Sequence, residues 1–198
     1  MASDLIYAFR IMRLPLLDAG GAAIGRIDDI VVVPGRSGDA PRVTGFVATS
    51  QRRRIFVNAN RIQSLDTEGA RLRSWDVDLN PFKPRQGEHM LGRDIIDKRL
   101  NAEAISDVAL RPTIGVRESG WEVSKVRLTR RGVLGRRSTY RLVDWTEASS
   151  LFAPATEMAA EAARLRDMHP SDVAGVVRAL PFAQRQLLAK EIWRQIGQ

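Results

Sequence analysis

The sequence predicts an α+β protein, mainly β: two small antiparallel β-barrels in tandem, followed by a short α-helical tail. Three observations predict it. A short apolar strand, polar turn and long strand at Leu14 to Val33 return about eighty residues later at Met90 to Leu110, where Ile105, Asp107 and Val108 answer Ile27, Asp29 and Ile30. Turn-forming residues recur roughly every eight to twelve positions up to Leu151, the spacing of short antiparallel strands. After Pro154 the apolar period changes from two to that of a helix.

The elements follow in order, with residues 1–80 as the first unit, 81–88 as a linker, 89–152 as the second unit and 153–198 as the helical segment. In the lead-in, Leu5, Ile6 and Phe9 suit a short helix or an edge strand. Asp18 to Gly21 is a turn whose two glycines accept positive φ. From Ala22 to Val33 the apolar spacing shifts from three to two, which predicts a bend or bulge. Pro34 to Pro41 is a hairpin tip. Strands follow at Arg42 to Thr49 and Arg54 to Asn58 across the basic turn of Gln51 to Arg54, then a turn with Ile62 and Leu65, and a last strand at Ala70 to Ser74. The echo continues here: Val43 to Ser50 is matched by Gly120 to Leu128, and Arg54 to Ile62 by Tyr140 to Ala148.

Trp75 to Glu88 holds two prolines and a glycine and places the boundary between the copies. In the second copy Arg111 to Ser119 is the hairpin tip, and Arg127 to Arg141 is an insertion with six arginines and no acid. Beyond it, Thr156 to Met168 is helix-forming and stops before Pro170, which is well placed as the first residue of a second helix. Val173, Val176, Val177 and Leu180 share one face of that helix, Pro181 ends it, and Leu187, Leu188, Ile192 and Ile196 line a third.

Composition narrows the function. The chain has 198 residues, 44% apolar and 27% charged, which reads as globular, and no apolar run approaches the ~18 residues of a membrane helix. The N-terminus lacks a basic start followed by a long apolar core, so no secretory signal is expected. Absence of cysteine excludes disulfides and thiolate chemistry. The formal charge of +8 favours an anionic partner, unless it only reflects arginine-rich codon usage.

Arg127, Arg130, Arg131, Arg136, Arg137 and Arg141 offer guanidinium groups to RNA phosphates or anionic lipid, with Val133 and Leu134 at the tip to enter an interface; a solvated loop is the alternative. Tyr140 is the one aromatic side chain nearby, which weakens a single-stranded RNA reading. Asp76 and Asp78 share a face and offer magnesium two carboxylates, or merely solvate the linker. Asp167 and Asp172 flank His169-Pro170 at a helix start, where capping and dipole compensation explain them without a metal. Asp28 and Asp29 are adjacent and point to opposite faces unless a bulge intervenes. His89 falls in the linker. Val173, Val177, Leu180, Leu187, Leu188 and Ile192 offer an apolar face to a protein partner or a second copy. No serine elbow, catalytic carboxylate motif or glycine-rich phosphate loop is present, so neither an enzyme nor a small-molecule substrate is expected.

Leu14 to Asp18 with Ile24 to Ile30, and Leu91 to Asp94 with Ile105 to Val108 and Val143 to Trp145, resemble the PRC-barrel family, six-stranded barrels named after the photosynthetic reaction-centre H subunit and found in the ribosome maturation factor RimM. The resemblance covers residues 10–151 and implies scaffolds without a catalytic set. Leu165 to Ala174, followed by Leu180-Pro181, resembles the opening of the intracellular N domain of MgtE-type magnesium transporters, a superhelix of short helices. In those transporters the ions sit between that domain and CBS domains, which do not occur in these residues. Stacked helices need neighbours, so two or three of them would leave apolar faces for a partner.

These resemblances imply a non-enzymatic bacterial regulatory or adaptor protein, cytoplasmic, at the inner face of the membrane, and related to the soluble part of magnesium-transport proteins. It would act by protein–protein interaction, with a membrane transporter or its own copy as partner and Mg2+ as the cofactor implied. The alternative is an RNA- or ribosome-associated assembly factor like the RimM barrel, with nucleic acid as partner.

Overall fold

The computed structural model describes residues 5–35, 39–74, 81–85, 87–114, 119–132, 138–152, 165, 170–179, 185 and 188. In the first half the strands are β1 (Ile6–Tyr7), β2 (Pro15–Leu17), β3 (Ala23–Val33), β4 (Arg42–Ser50), β5 (Arg53–Asn58), β6 (Ile62–Leu65) and β7 (Ala70–Leu72). In the second they are β8 (His89–Met90), β9 (Arg99–Leu100), β10 (Glu103–Ile114), β11 (Ser119–Arg130) and β12 (Thr139–Asp144). Helix α1 (Ala8–Ile11) follows β1, a π turn (Leu91–Ile95) follows β8, and 3-10 turns follow β5 and β12 at Ala59–Arg61 and Trp145–Leu151. Helix α2 spans Pro170–Ala179, with Pro170 as its first residue. The protein is mainly β, and the described strands join one curled sheet. No helix among the described residues is long and apolar enough to cross a membrane.

The repeat seen in sequence recurs in the hydrogen-bond register. β3 pairs with β4 as Ile27↔Ala48, Asp29↔Val47 and Ile30↔Phe46, and β10 pairs with β11 as Ile105↔Leu128, Asp107↔Arg127 and Val108↔Val126. Both long strands carry register shifts at the same two places, after Ile27 and Val31 in one and after Ile105 and Ala109 in the other. The expected bulge is therefore present twice. The 3-10 turns are capped alike, by Asn58 accepting from the Asn60 amide and Asp144 from the Thr146 amide.

The halves meet side by side at β4 and β11 in one sheet, and each lends its opening strand to the other. β1 pairs with β10 (Tyr7↔Ala109), whereas its counterpart β8 pairs with β3 (Met90↔Val31). The repeated aspartate secures each exchange. Asp107 accepts from the Phe9 amide at 3.0 Å, and Asp29 accepts from the equivalent Gly92 amide at 2.7 Å and from Arg93 at 3.1 Å. A Cβ at Gly92 would lie 2.8 Å from the Met12 sulfur and 3.0 Å from an Asp29 oxygen, so a larger residue there would have to displace the Met12 side chain. At the centre Arg42 pairs with Glu122, its own equivalent, as an approximate two-fold axis requires.

One core results. It takes Ile11, Ile27, Ile30 and Phe46 from the first half and Ile95, Ile105, Leu110 and Leu128 from the second. Phe46 meets Trp121 across the join edge to face, centroids 5.9 Å apart at 77°, a contact worth about 1 kcal/mol beyond its area. Leu165 and Leu188 are buried in a separate cluster, with Val173, Val176 and Val177 packed on them.

Three elements depart from expectation. Ile62 and Leu65, expected in a turn, belong to β6, whose register shift between Ile62 and Ser64 breaks the alternation that marks a strand. Arg111 to Ile114, expected in a hairpin tip, continue β10, with Pro112 opposite Trp121. His89, expected where the linker meets the second unit, is buried in β8.

Candidate functional site

The approximate symmetry shows where the halves have diverged. On the outer face of the first half Val31, Val47 and Met90 are buried, with Phe56 and Phe82 packed over them. Through the pairings above, the corresponding residues of the second half are Ala109, Arg127, Tyr7 and Leu142. Arg127 thus stands where a buried valine stands in the first half. Its guanidinium carbon lies 4.6 Å from the Tyr7 ring centroid and 5.9 Å from that of Tyr140, and Nη1 is 3.9 Å from Asp107 Oδ2. Two rings hold the planar cation in place, and its side chain is still 37% exposed.

Beside it opens a shallow pocket of about 410 Å³ lined by Ser106, Arg127, Thr129, Ser138, Thr139 and Tyr140. Thr129 donates to Ser106 Oγ at 2.8 Å, and Ser106 donates to the Arg127 carbonyl at 3.3 Å. The first half has the same link with a charge in it, Thr49 donating to Asp28. Replacement of that acid by Ser106 leaves hydroxyl groups around a guanidinium. With the Thr129 and Ser106 protons committed, the donors left for a carboxylate or phosphate are the Arg127 guanidinium and the hydroxyl groups of Ser138, Thr139 and Tyr140.

The other expected arginines divide. Arg130 and Arg131 are exposed at the end of β11 and just beyond it. Arg141 is engaged within the chain: Nη2 and Nε donate to Glu103 Oε2 at 2.8 and 3.0 Å, and Nη1 to Glu147 at 3.1 Å. That fork holds the Glu103 carboxyl below its usual pKa. Arg136 and Arg137 lie outside the described residues, as do Asp76, Asp78, Asp167, Leu180, Leu187 and Ile192. Asp172 lies in the first turn of α2. Val173 and Val177 pack on Leu165 and Leu188, and Leu188, expected to face a partner, is only 1% exposed. Asp28 and Asp29 have separate partners, Thr49 for one and the Gly92 and Arg93 amides for the other. Among the described residues no three acidic or histidine side chains converge as a metal site would require.

Tyr7, Ser106, Thr129 and Leu142 were missed as site residues. Aligning the two copies strand by strand exposes Tyr7, Ser106 and Leu142, because each replaces a residue of different chemistry or is left open where its counterpart is covered; Thr129 matches Thr49 and enters only as the partner of Ser106. No family model, curated protein or solved structure matches the chain, so its function is argued from this chemistry.

Proposed function

We propose that the chain is a non-enzymatic bacterial adaptor, built of two PRC-type halves and an MgtE-like helical tail, that binds an acidic segment of a partner protein on the outer face of its second half. One observation carries this reading: Arg127, held between Tyr7 and Tyr140, replaces an apolar residue that the first half keeps covered. A cation fixed by aromatic rings, with hydroxyl groups and the exposed Leu142 alongside, suits a carboxylate and an apolar side chain together. The relation to magnesium-transport proteins and the cytoplasmic setting rest on the resemblance of Leu165 to Ala174. In fluorescence anisotropy, a labelled acidic peptide containing one phenylalanine should bind, and Arg127→Ala should weaken it about tenfold or more. An unchanged affinity removes this face from the reading.

The exposed Arg130 and Arg131 and the +8 charge favour nucleic acid as the second reading. It requires single-stranded RNA affinity whose logarithm falls with log salt, at a slope of about 0.7 per phosphate neutralised.

A further inference from the structure

The halves also differ at one sheet edge. In the first, β5 does not end the sheet: Pro81 bridges Ile55 in antiparallel sense, the Phe82 amide donates to the Arg54 carbonyl at 2.9 Å, and the Phe82 ring stacks on Phe56 with centroids 5.9 Å apart. An extended segment thus serves as an added strand and closes the apolar face. The equivalents of Arg54, Ile55 and Phe56 on β12 are Tyr140, Arg141 and Leu142. Tyr140 is 75% and Leu142 42% exposed, and among the described residues β12 pairs with β11 alone.

We propose that β12 is a docking edge for an extended acidic segment of a partner protein, which adds as a strand beside Tyr140 to Leu142 as Pro81-Phe82 does beside β5. This rests on the adaptor reading above and specifies its geometry. The segment's backbone amide would donate to the Tyr140 carbonyl, the position Arg54 occupies for Phe82. Its apolar side chain would lie on Leu142, where Phe82 lies on Phe56, and a carboxylate would reach Arg127. Main-chain bonds then supply affinity, and the two side-chain positions supply selection. An open edge with apolar side chains is a liability unless it has a partner. A second copy is a poorer one, because β12 paired edge to edge with itself about Arg141 sets that arginine opposite its own copy.

The test uses the full chain labelled with 15N and three capped hexapeptides: DNPFEP, the same peptide N-methylated at its phenylalanine amide, and the charge-reversed KNPFKP. The first should bind and shift the amide signals of residues 139–144. N-methylation, which removes the donor for the Tyr140 carbonyl, should weaken binding about tenfold, as should charge reversal and the variant Leu142→Glu at an exposed position. Equal binding of the methylated peptide overturns strand addition and leaves the adaptor reading standing. No binding of DNPFEP, with binding of short single-stranded RNA instead, overturns both. Light scattering that shows a dimer dispersed by Leu142→Glu also overturns the proposal, in favour of self-association.

Discussion

Asp29 is 6% exposed and accepts three backbone amides, those of Ile30, Gly92 and Arg93. Burial raises its pKa and outweighs the lowering effect of the amides. The stability linked to this group is therefore fully present below the ordinary carboxylate pKa and is lost as pH rises through the raised value. Asp144 has the opposite sign. The Thr146 amide holds it below its usual value, so its contribution is present above the ordinary pKa and is lost as pH falls. Asp144→Asn should keep the cap, as Asn58 does in the first half, and flatten the acid side of the stability curve, measured as melting temperature between about pH 5 and pH 3. Asp29→Ala leaves three amides without their acceptor and should cost about 2 kcal/mol in urea unfolding. Asp107→Ala, which deprives the Phe9 and Val108 amides of an acceptor and the part-exposed Arg127 of its ion-pair partner, should cost less.

The β4–β5 hairpin turns on Gln51 and Arg52, both at positive φ (47° and 64°) with side chains that disfavour it. A two-residue turn of this kind suits Asn-Gly. Gln51→Asn with Arg52→Gly should therefore raise stability by about 1 kcal/mol, read as a melting temperature higher by about 2–4 °C. The paired long strands were legible in sequence because Ile27, Asp29 and Ile30 recur as Ile105, Asp107 and Val108, and so were the bulge and the Pro170 helix start. The exchange of β1 and β8 was not. Ile6-Tyr7 and His89-Met90 are two-residue strands, too short to carry a period, and their partners lie a hundred residues away in one case and sixty in the other. The arginine cluster drew attention by composition, yet Arg141 is bound within the chain and Arg127 gains its character from Tyr7, which only the fold brings near.

Because Ile27 and Ile105 belong to one core and the strands are exchanged, the two halves should unfold together. The cluster of Leu165, Leu188 and the valines of α2 is separate from that core. Two transitions are expected: an early one in helical circular dichroism at 222 nm, and a later one in the fluorescence of Trp121 and Trp145, read in a variant carrying Trp75→Phe and Trp193→Phe. If the acids around His169 bind magnesium, millimolar Mg2+ should move the first and leave the second. Coincident transitions would show that the helices are part of the β core. The exchange also sets an order of events during synthesis. β3 lacks its Met90 partner and Asp29 its Gly92 donor until those residues leave the ribosome, and β1 waits longer still for Leu110. The first half, once synthesised, is an incomplete sheet with apolar residues exposed. Any chaperone dependence should therefore end abruptly, when about 150 residues have emerged and β11 and β12 can complete the shared core, rather than fade as each half is completed.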